Sequence, residues 1–130
     1  MAQLLCVGEK NNQPSLMNLI DSNHSDLLAK TMDAYSLRQK ITATNIANAD
    51  TPGYKRHEVH FEDALNEAMA NSGTGGAKEV NPSIVETDGN VIIEDELIEQ
   101  ADTQLRFQLV TKALRHHYSM VRNGITGTNR

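Results

Sequence analysis

One stretch, Thr44-Asn45-Ile46-Ala47-Asn48-Ala49-Asp50-Thr51-Pro52-Gly53-Tyr54-Lys55, constrains this chain more than any other. It ends one kind of structure and begins another. Asn48 and Asp50 bond readily to their own nearby backbone and tolerate a left-handed conformation, so both favour a helix end. Pro52 disfavours a helical conformation at Thr51. Pro52-Gly53 fits the central positions of a type II turn, where Pro fixes φ and Gly supplies a positive one. The stretch reads as a helix stop followed by a sharp redirection.

Before it, from about Ser25 to Asn48, the pattern is helical. Leu27, Ala34, Ile41 and Asn48 recur every seventh position, with Leu37 and Thr44 between them, the seam of a coiled-coil-like helix. Ser25 offers an N-cap and Asp26 an acidic first turn. Ala34, Thr44 and Asn48 bury little, so this helix depends on packing. After the turn, His57, Val59 and Phe61 alternate with Glu58 and His60, which predicts a short extended segment or strand. Phe61 to Ala70 then reads as a short amphipathic helix with Phe61, Leu65, Ala68 and Met69 on one side. Ser72-Gly73-Thr74-Gly75-Gly76 has no preceding strand and no Lys-Ser/Thr after it, so it reads as a linker rather than a phosphate loop. Asp88-Gly89-Asn90 between Ile84-Val85-Glu86-Thr87 and Val91-Ile92-Ile93 suggests a small β-hairpin.

Ile93 to about Gly124 is the longest helical pattern. Glu94, Asp95 and Glu96 open it, Lys112, Arg115 and Arg122 come late, and Gly124 is a plausible C-cap. Leu105, Leu109, Ala113 and Met120 share one face. Phe107, Val110, Leu114, Tyr118, Val121 and Ile125 lie on about the opposite side. A lone surface helix needs only one apolar stripe, so two opposed stripes predict a helix sandwiched within the chain or between subunits.

The 130 residues suit one small domain, and a net charge of -5 argues against nucleic acid as main partner. Aromatics make up 4 % of the chain and Trp is absent, so a large self-contained core is hard to build, and partners are expected to supply burial. No apolar run approaches the roughly 20 residues of a membrane span. Nothing at the start has the pattern of a cleavable secretory signal. Met1 to Ser15, with its Leu4-Leu5-Cys6-Val7 cluster and Pro14, reads as a flexible arm: a native extension, a start upstream of Met17, or an appended remnant. Cys6, the single cysteine, has no base and orienting group nearby in sequence and reads as a free thiol. His57-Glu58-Val59-His60 with Glu62 invites a metal reading, but no third ligand is placed by spacing. His116 and His117 point about 100° apart on a helix and cannot chelate one metal together.

Asn45 to Lys55 closely resembles the signature near the N-terminus of bacterial flagellar axial proteins, the rod, hook and hook-filament junction family. The form with Ile46 and Ala49 is similar to that of the proximal rod proteins, whereas hook and distal-rod members usually carry Leu and Val there. Gln104-Leu105-Arg106-Phe107-Gln108 and Ser119-Met120-Val121-Arg122 also resemble the C-terminal region of the shortest of these subunits. The resemblance covers roughly Asp26 to Ile125. The arm before Ser15 departs from it, which leaves the family's export-signal region unmatched.

The resemblance implies a structural subunit of the proximal rod, exported by the flagellar type III apparatus and transmitting torque from motor to hook. It implies higher-order helical assembly with other rod subunits, near the MS ring and the export gate. It implies no enzymatic activity, cofactor, metal or small-molecule substrate. The expected fold is mainly α, with long terminal helices pairing as a coiled-coil-like hairpin around a short extended and loop-rich middle. The expected division is an arm over 1–15, an N-terminal rod helix over 16–50, a middle segment over 51–92 and a C-terminal rod helix with its tail over 93–130. The expected assembly residues are Asn45 to Lys55, with Leu105, Leu109, Leu114, Tyr118, Met120 and Val121 for subunit packing. Two rivals remain: a helical-hairpin adaptor or export chaperone, which would be a folded soluble dimer without need of the signature, and a small metal hydrolase using His57, His60 and Glu62.

Overall fold

The computed structural model describes residues 22–72 and 79–127. The arm over 1–15 with Cys6, and the glycines of 73–76, lie outside the described residues. In chain order the elements are α1 (Ser22–Ala47), β1 (His57–His60), α2 (Glu62–Ser72), β2 (Ser83–Glu86) and α3 (Ile93–Thr126). The fold is mainly helical, with long terminal helices and a two-stranded antiparallel sheet between them.

α1 and α3 pack antiparallel. The order of their cross-contacts shows it: Asn45 meets Glu96, Arg38 lies 3.6 Å from Glu99, Gln39 donates to Gln104 at 2.8 Å, and His24 sits against His117. On the side of α1 that carries these contacts Tyr35, Thr42 and Asn45 are buried, with Leu28, Thr31 and Arg38 half-buried at the same three-four spacing. This seam is displaced by one position from the expected one. Ala34 packs instead with Phe61 and Val80 of the middle segment, and Thr44 is exposed. The apolar content of α1 is too thin to select between adjacent heptad registers. Polar residues with fixed partners select it.

Several boundaries also move. Ser25 lies inside α1, which begins at Ser22, so it is no cap and Asp26 falls beyond the first turn. Neither Asn48 nor Asp50 is left-handed. α1 ends through tightened turns, with Asn48 N–H bonded to Thr44 and Asn45 carbonyls, Ala49 N–H to Ile46 and Thr51 N–H to Asn48. Gly124 is helical, and Gly127 is the left-handed C-cap (φ 64°), its N–H bonded to the Asn123 carbonyl. With the helix extended to Thr126, no basic residue remains in its last turn.

The Pro52-Gly53 turn forms as expected, with Gly53 at φ 79° and Tyr54 N–H bonded to the Thr51 carbonyl at 3.1 Å. It sends the chain into β1. β2 does not pair with residues 91–93 across Asp88-Gly89-Asn90. It pairs with β1, His57 opposite Glu86 and Val59 opposite Ile84. Ile93 is taken by the start of α3, so the nearest free strand edge is β1. The small core sits where these pieces meet α1: Ala34, Phe61 and Val80 are buried, with Leu65 and Ala68 packed against them. Met69 lies outside that apolar side of α2 and is 36 % exposed.

Candidate assembly site

The signature closes one end of the hairpin through a single side chain. Asn45 is 1 % exposed, and an amide that deeply placed must satisfy two donors and two acceptor sites. Its Nδ2 donates to the His57 carbonyl at 2.8 Å and to Glu96 Oε2 at 3.0 Å. Its Oδ1 accepts from His57 N–H at 3.1 Å and from the Tyr54 hydroxyl at 3.0 Å. One residue of α1 thereby holds the turn, β1 and the first turn of α3. Glu96, fully buried, also receives Arg56 Nε, and Arg56 pairs with Glu58. The buried carboxylate is therefore matched by a guanidinium and an amide, as a charge out of water must be.

A second anchor lies two turns back along α1. Arg38 grips both oxygens of Glu62 at 2.7 and 2.5 Å, donates to the Val59 carbonyl at 3.1 Å and approaches Glu99. It joins α1 to β1, α2 and α3. Burial works against ionisation of Glu62, but the hydrogen bonds and charge of Arg38 outweigh it and hold the carboxyl below the ordinary carboxylate value. Burial likewise works against the charge of Arg38, and Glu62 and Glu99 raise it.

The rest of the signature faces water or the turn. Ile46, Asn48 and Ala49 are half-buried, whereas Ala47, Asp50, Thr51, Pro52 and Gly53 are exposed. Asn48 Nδ2 bonds the Thr44 carbonyl and Thr51 Oγ1 bonds Asn48. Lys55 reaches Glu86 at 3.0 Å and Asp88 at 3.5 Å across the exposed side of the sheet. His57 and His60 lie three apart on a strand and so on opposite faces. His57 Nδ1 is engaged with the Tyr54 hydroxyl at 3.2 Å. Among the described residues, no three His, Cys, Asp or Glu side chains gather closely enough to hold a metal ion. An open groove of about 430 Å³ runs between α1, α3 and β1, lined by Arg38, Arg56 and Arg106 with Glu58, Glu62, Glu99 and Asp102. Its charges are paired off against one another rather than left facing a ligand.

The family described as flagella basal body rod protein matches residues 27–55, most of α1 and the whole signature. The flagellar basal body rod protein FlgB of Borrelia hermsii is 34 % identical over 81 % of this chain and 96 % of that protein. This chain belongs to the flagellar basal body rod protein family. The FlgB proteins of Salmonella typhimurium and Bacillus subtilis are 31 % and 23 % identical, over 71 % and 77 % of this rod-family chain and 85 % and 91 % of their own lengths.

The two apolar stripes of α3 now separate. Phe107, Val110, Leu114 and Val121 are half-buried, on the side that carries Glu96, Thr103 and His117 towards α1. Leu105, Leu109 and Met120 are 62 %, 65 % and 60 % exposed, and Ile98 and Leu97 continue their side towards the signature end. Tyr118 and Ile125, grouped by periodicity with Phe107 and Leu114, are both largely exposed. His117 already lies against His24, near the start of α1, so Ile125 falls beyond the described part of that helix, while Tyr118 sits at the margin of the inward face. The buried Nε2 of His117, like Thr103 Oγ1, has no hydrogen-bond partner among the described residues. Sequence reasoning missed Arg38 and Arg56, and read Glu62 as a candidate metal ligand and Glu96 as part of an acidic helix start rather than as their partners. The available signal was a charged residue at seam spacing, Arg38 seven before Asn45.

Proposed function

We infer that this chain is a structural subunit of the proximal rod of the flagellar basal body, joining other rod subunits in a helical axle that transmits torque. The observation that carries the reading is the outward stripe of α3. A rod-family chain presents Ile98, Leu105, Leu109 and Met120 to water along a helix whose opposite face is already packed on α1. An apolar stripe of that length on a slender hairpin fits burial against neighbouring helices.

Assembly supplies the burial that the subunit lacks. The buried apolar side chains among the described residues are Ala34, Tyr35, Val59, Phe61 and Val80, a small core for two long helices. The subunit gains stability as it joins its neighbours, and the cost of ordering falls due at incorporation. A loosely held monomer also suits passage through the flagellar type III apparatus, which makes the export gate a transient partner and the MS ring a neighbour of the finished rod. The role is mechanical rather than enzymatic. Mass spectrometry of purified basal bodies tests the reading: the subunit is expected in the rod fraction. Its recovery solely as a soluble dimer would overturn the rod role in favour of an adaptor or export chaperone.

A further inference from the structure

The sheet has two edges, and the fold treats them differently. The Thr87 N–H bonds the carbonyl of Arg56 directly opposite it at 2.8 Å. Hydrogen-bonded and non-bonded pairs alternate along an antiparallel ladder. Glu58–Val85 and His60–Ser83 are therefore the bonded pairs, while His57–Glu86 and Val59–Ile84 direct their backbone groups away from the ladder. On the β1 side those groups are met by α1: Asn45 takes both the N–H and the carbonyl of His57, and Arg38 takes the carbonyl of Val59. On the β2 side, no described residue bonds the outward N–H or carbonyl of Ile84 or Glu86. All four β2 residues are exposed. β2 is short, carries the charge of Glu86 and follows Pro82, but no proline, lysine or bulge falls within Ser83-Ile84-Val85-Glu86 to block pairing along those residues.

We propose that the β2 edge is a strand-addition site that takes an extended segment of a neighbouring rod subunit. The identity of that neighbour rests on the rod reading, but the edge does not. The chemistry of the occupant follows from what the edge presents. Its outward N–H and carbonyl groups repeat at every second residue, which only another extended peptide matches. Ile84 lies on the same face as buried Val59, yet is 49 % exposed, so an apolar side chain added beside it extends that covered face. At the far end Glu86 and Asp88 share the single cation Lys55, and exposed Glu79 lies before the strand. The incoming strand therefore carries a basic residue near Glu86. A second β2 strand is the poorer match, because Ser83-Ile84-Val85-Glu86 brings no basic residue to Glu86.

Backbone hydrogen exchange on the free subunit and on purified basal bodies tests this without a variant. The Ile84 and Glu86 amides are expected to exchange quickly in the free subunit and at least about tenfold more slowly in the rod. Ile84→Pro removes an outward N–H and leaves the ladder bonds to β1 in place. Its incorporation into rods is expected to fall about tenfold, the loss expected from one to two hydrogen bonds, while circular dichroism of the free subunit is unchanged. Equal exchange in free and assembled subunits would overturn the edge while leaving the rod reading intact. Absence of the subunit from basal bodies would overturn the neighbour as well. A free dimer broken by Ile84→Pro would reassign the edge to a second copy.

Discussion

Asn45 shows how one amide can organise the end of a helical hairpin. Each of its four hydrogen-bonding positions is used, by partners in the turn, β1 and α3. Asn45→Asp keeps the shape and removes both N–H donors. It leaves the His57 carbonyl unpaired and sets a second carboxylate beside buried Glu96. The free subunit is expected to lose about 2–4 kcal/mol in chemical denaturation, against a much smaller loss for Asn48→Asp at the half-buried helix end. Glu62 makes a pH prediction. Its folded-state pKa lies below the ordinary 4.5, so its contribution is fully present above that value and is lost as pH falls through the lower folded value. Glu62→Gln is therefore expected to be less stable than the parent near neutral pH, with the gap narrowing as pH falls below 4.5. Thermal melts across that range would show it, and a constant gap would mean that the Arg38 pair does not set the dependence.

At the scale of elements, the turn between α1 and β1 is the sharpest constraint. Gly53 needs φ 79°, and nothing lies within 4 Å of where a Cβ would stand. Gly53→Ala therefore costs conformational strain without a clash, about 1 kcal/mol, and is expected to lower the melting temperature by a few degrees without changing helix content. Helix identity and order were legible because a helix stop, a proline and a glycine fall within a few residues. The pairing of β2 was not. Asp88-Gly89 is a genuine hairpin signal, but the residues after it had a stronger use as the start of α3, where Glu94, Asp95 and Glu96 meet the positive end of the helix dipole. The register of α1 was illegible for a related reason. Leu27, Leu37 and Ile41 mark an apolar side, whereas Asn45 and Arg38 are held on the other by specific partners on other elements.

At the scale of the whole molecule, the two faces of α3 differ in burial, and the proposed rod role gives folding to one and assembly to the other. Leu114 is half-buried on the side of α3 that faces α1, and Leu109 is 65 % exposed on the other. Leu114→Asp is expected to loosen the subunit itself by about 2–4 kcal/mol, because a carboxylate enters an apolar contact. Leu109→Asp is expected to leave the free subunit's melt nearly unchanged yet exclude it from the rod, so that cells export the protein but lack hooks and do not swim. Motility assays with electron microscopy of basal bodies would check both. Wild-type rods built from Leu109→Asp subunits would mean that the outward stripe is not an assembly surface.

The sequence by itself determined the kind of elements, their order, the turn that separates them and the presence of two apolar stripes on the last helix. These are local properties: periodicity, proline geometry and glycine conformation act over a few residues and need no partner. The tertiary structure alone decided which stripe faces inward, which strand β2 pairs with, and why Asn45 stands in the signature. Those depend on contacts between residues 12 to 51 positions apart, where a buried polar group is stable only once every partner has arrived. No local pattern encodes that arrival, because the same asparagine in an unpaired helix would read as a helix end.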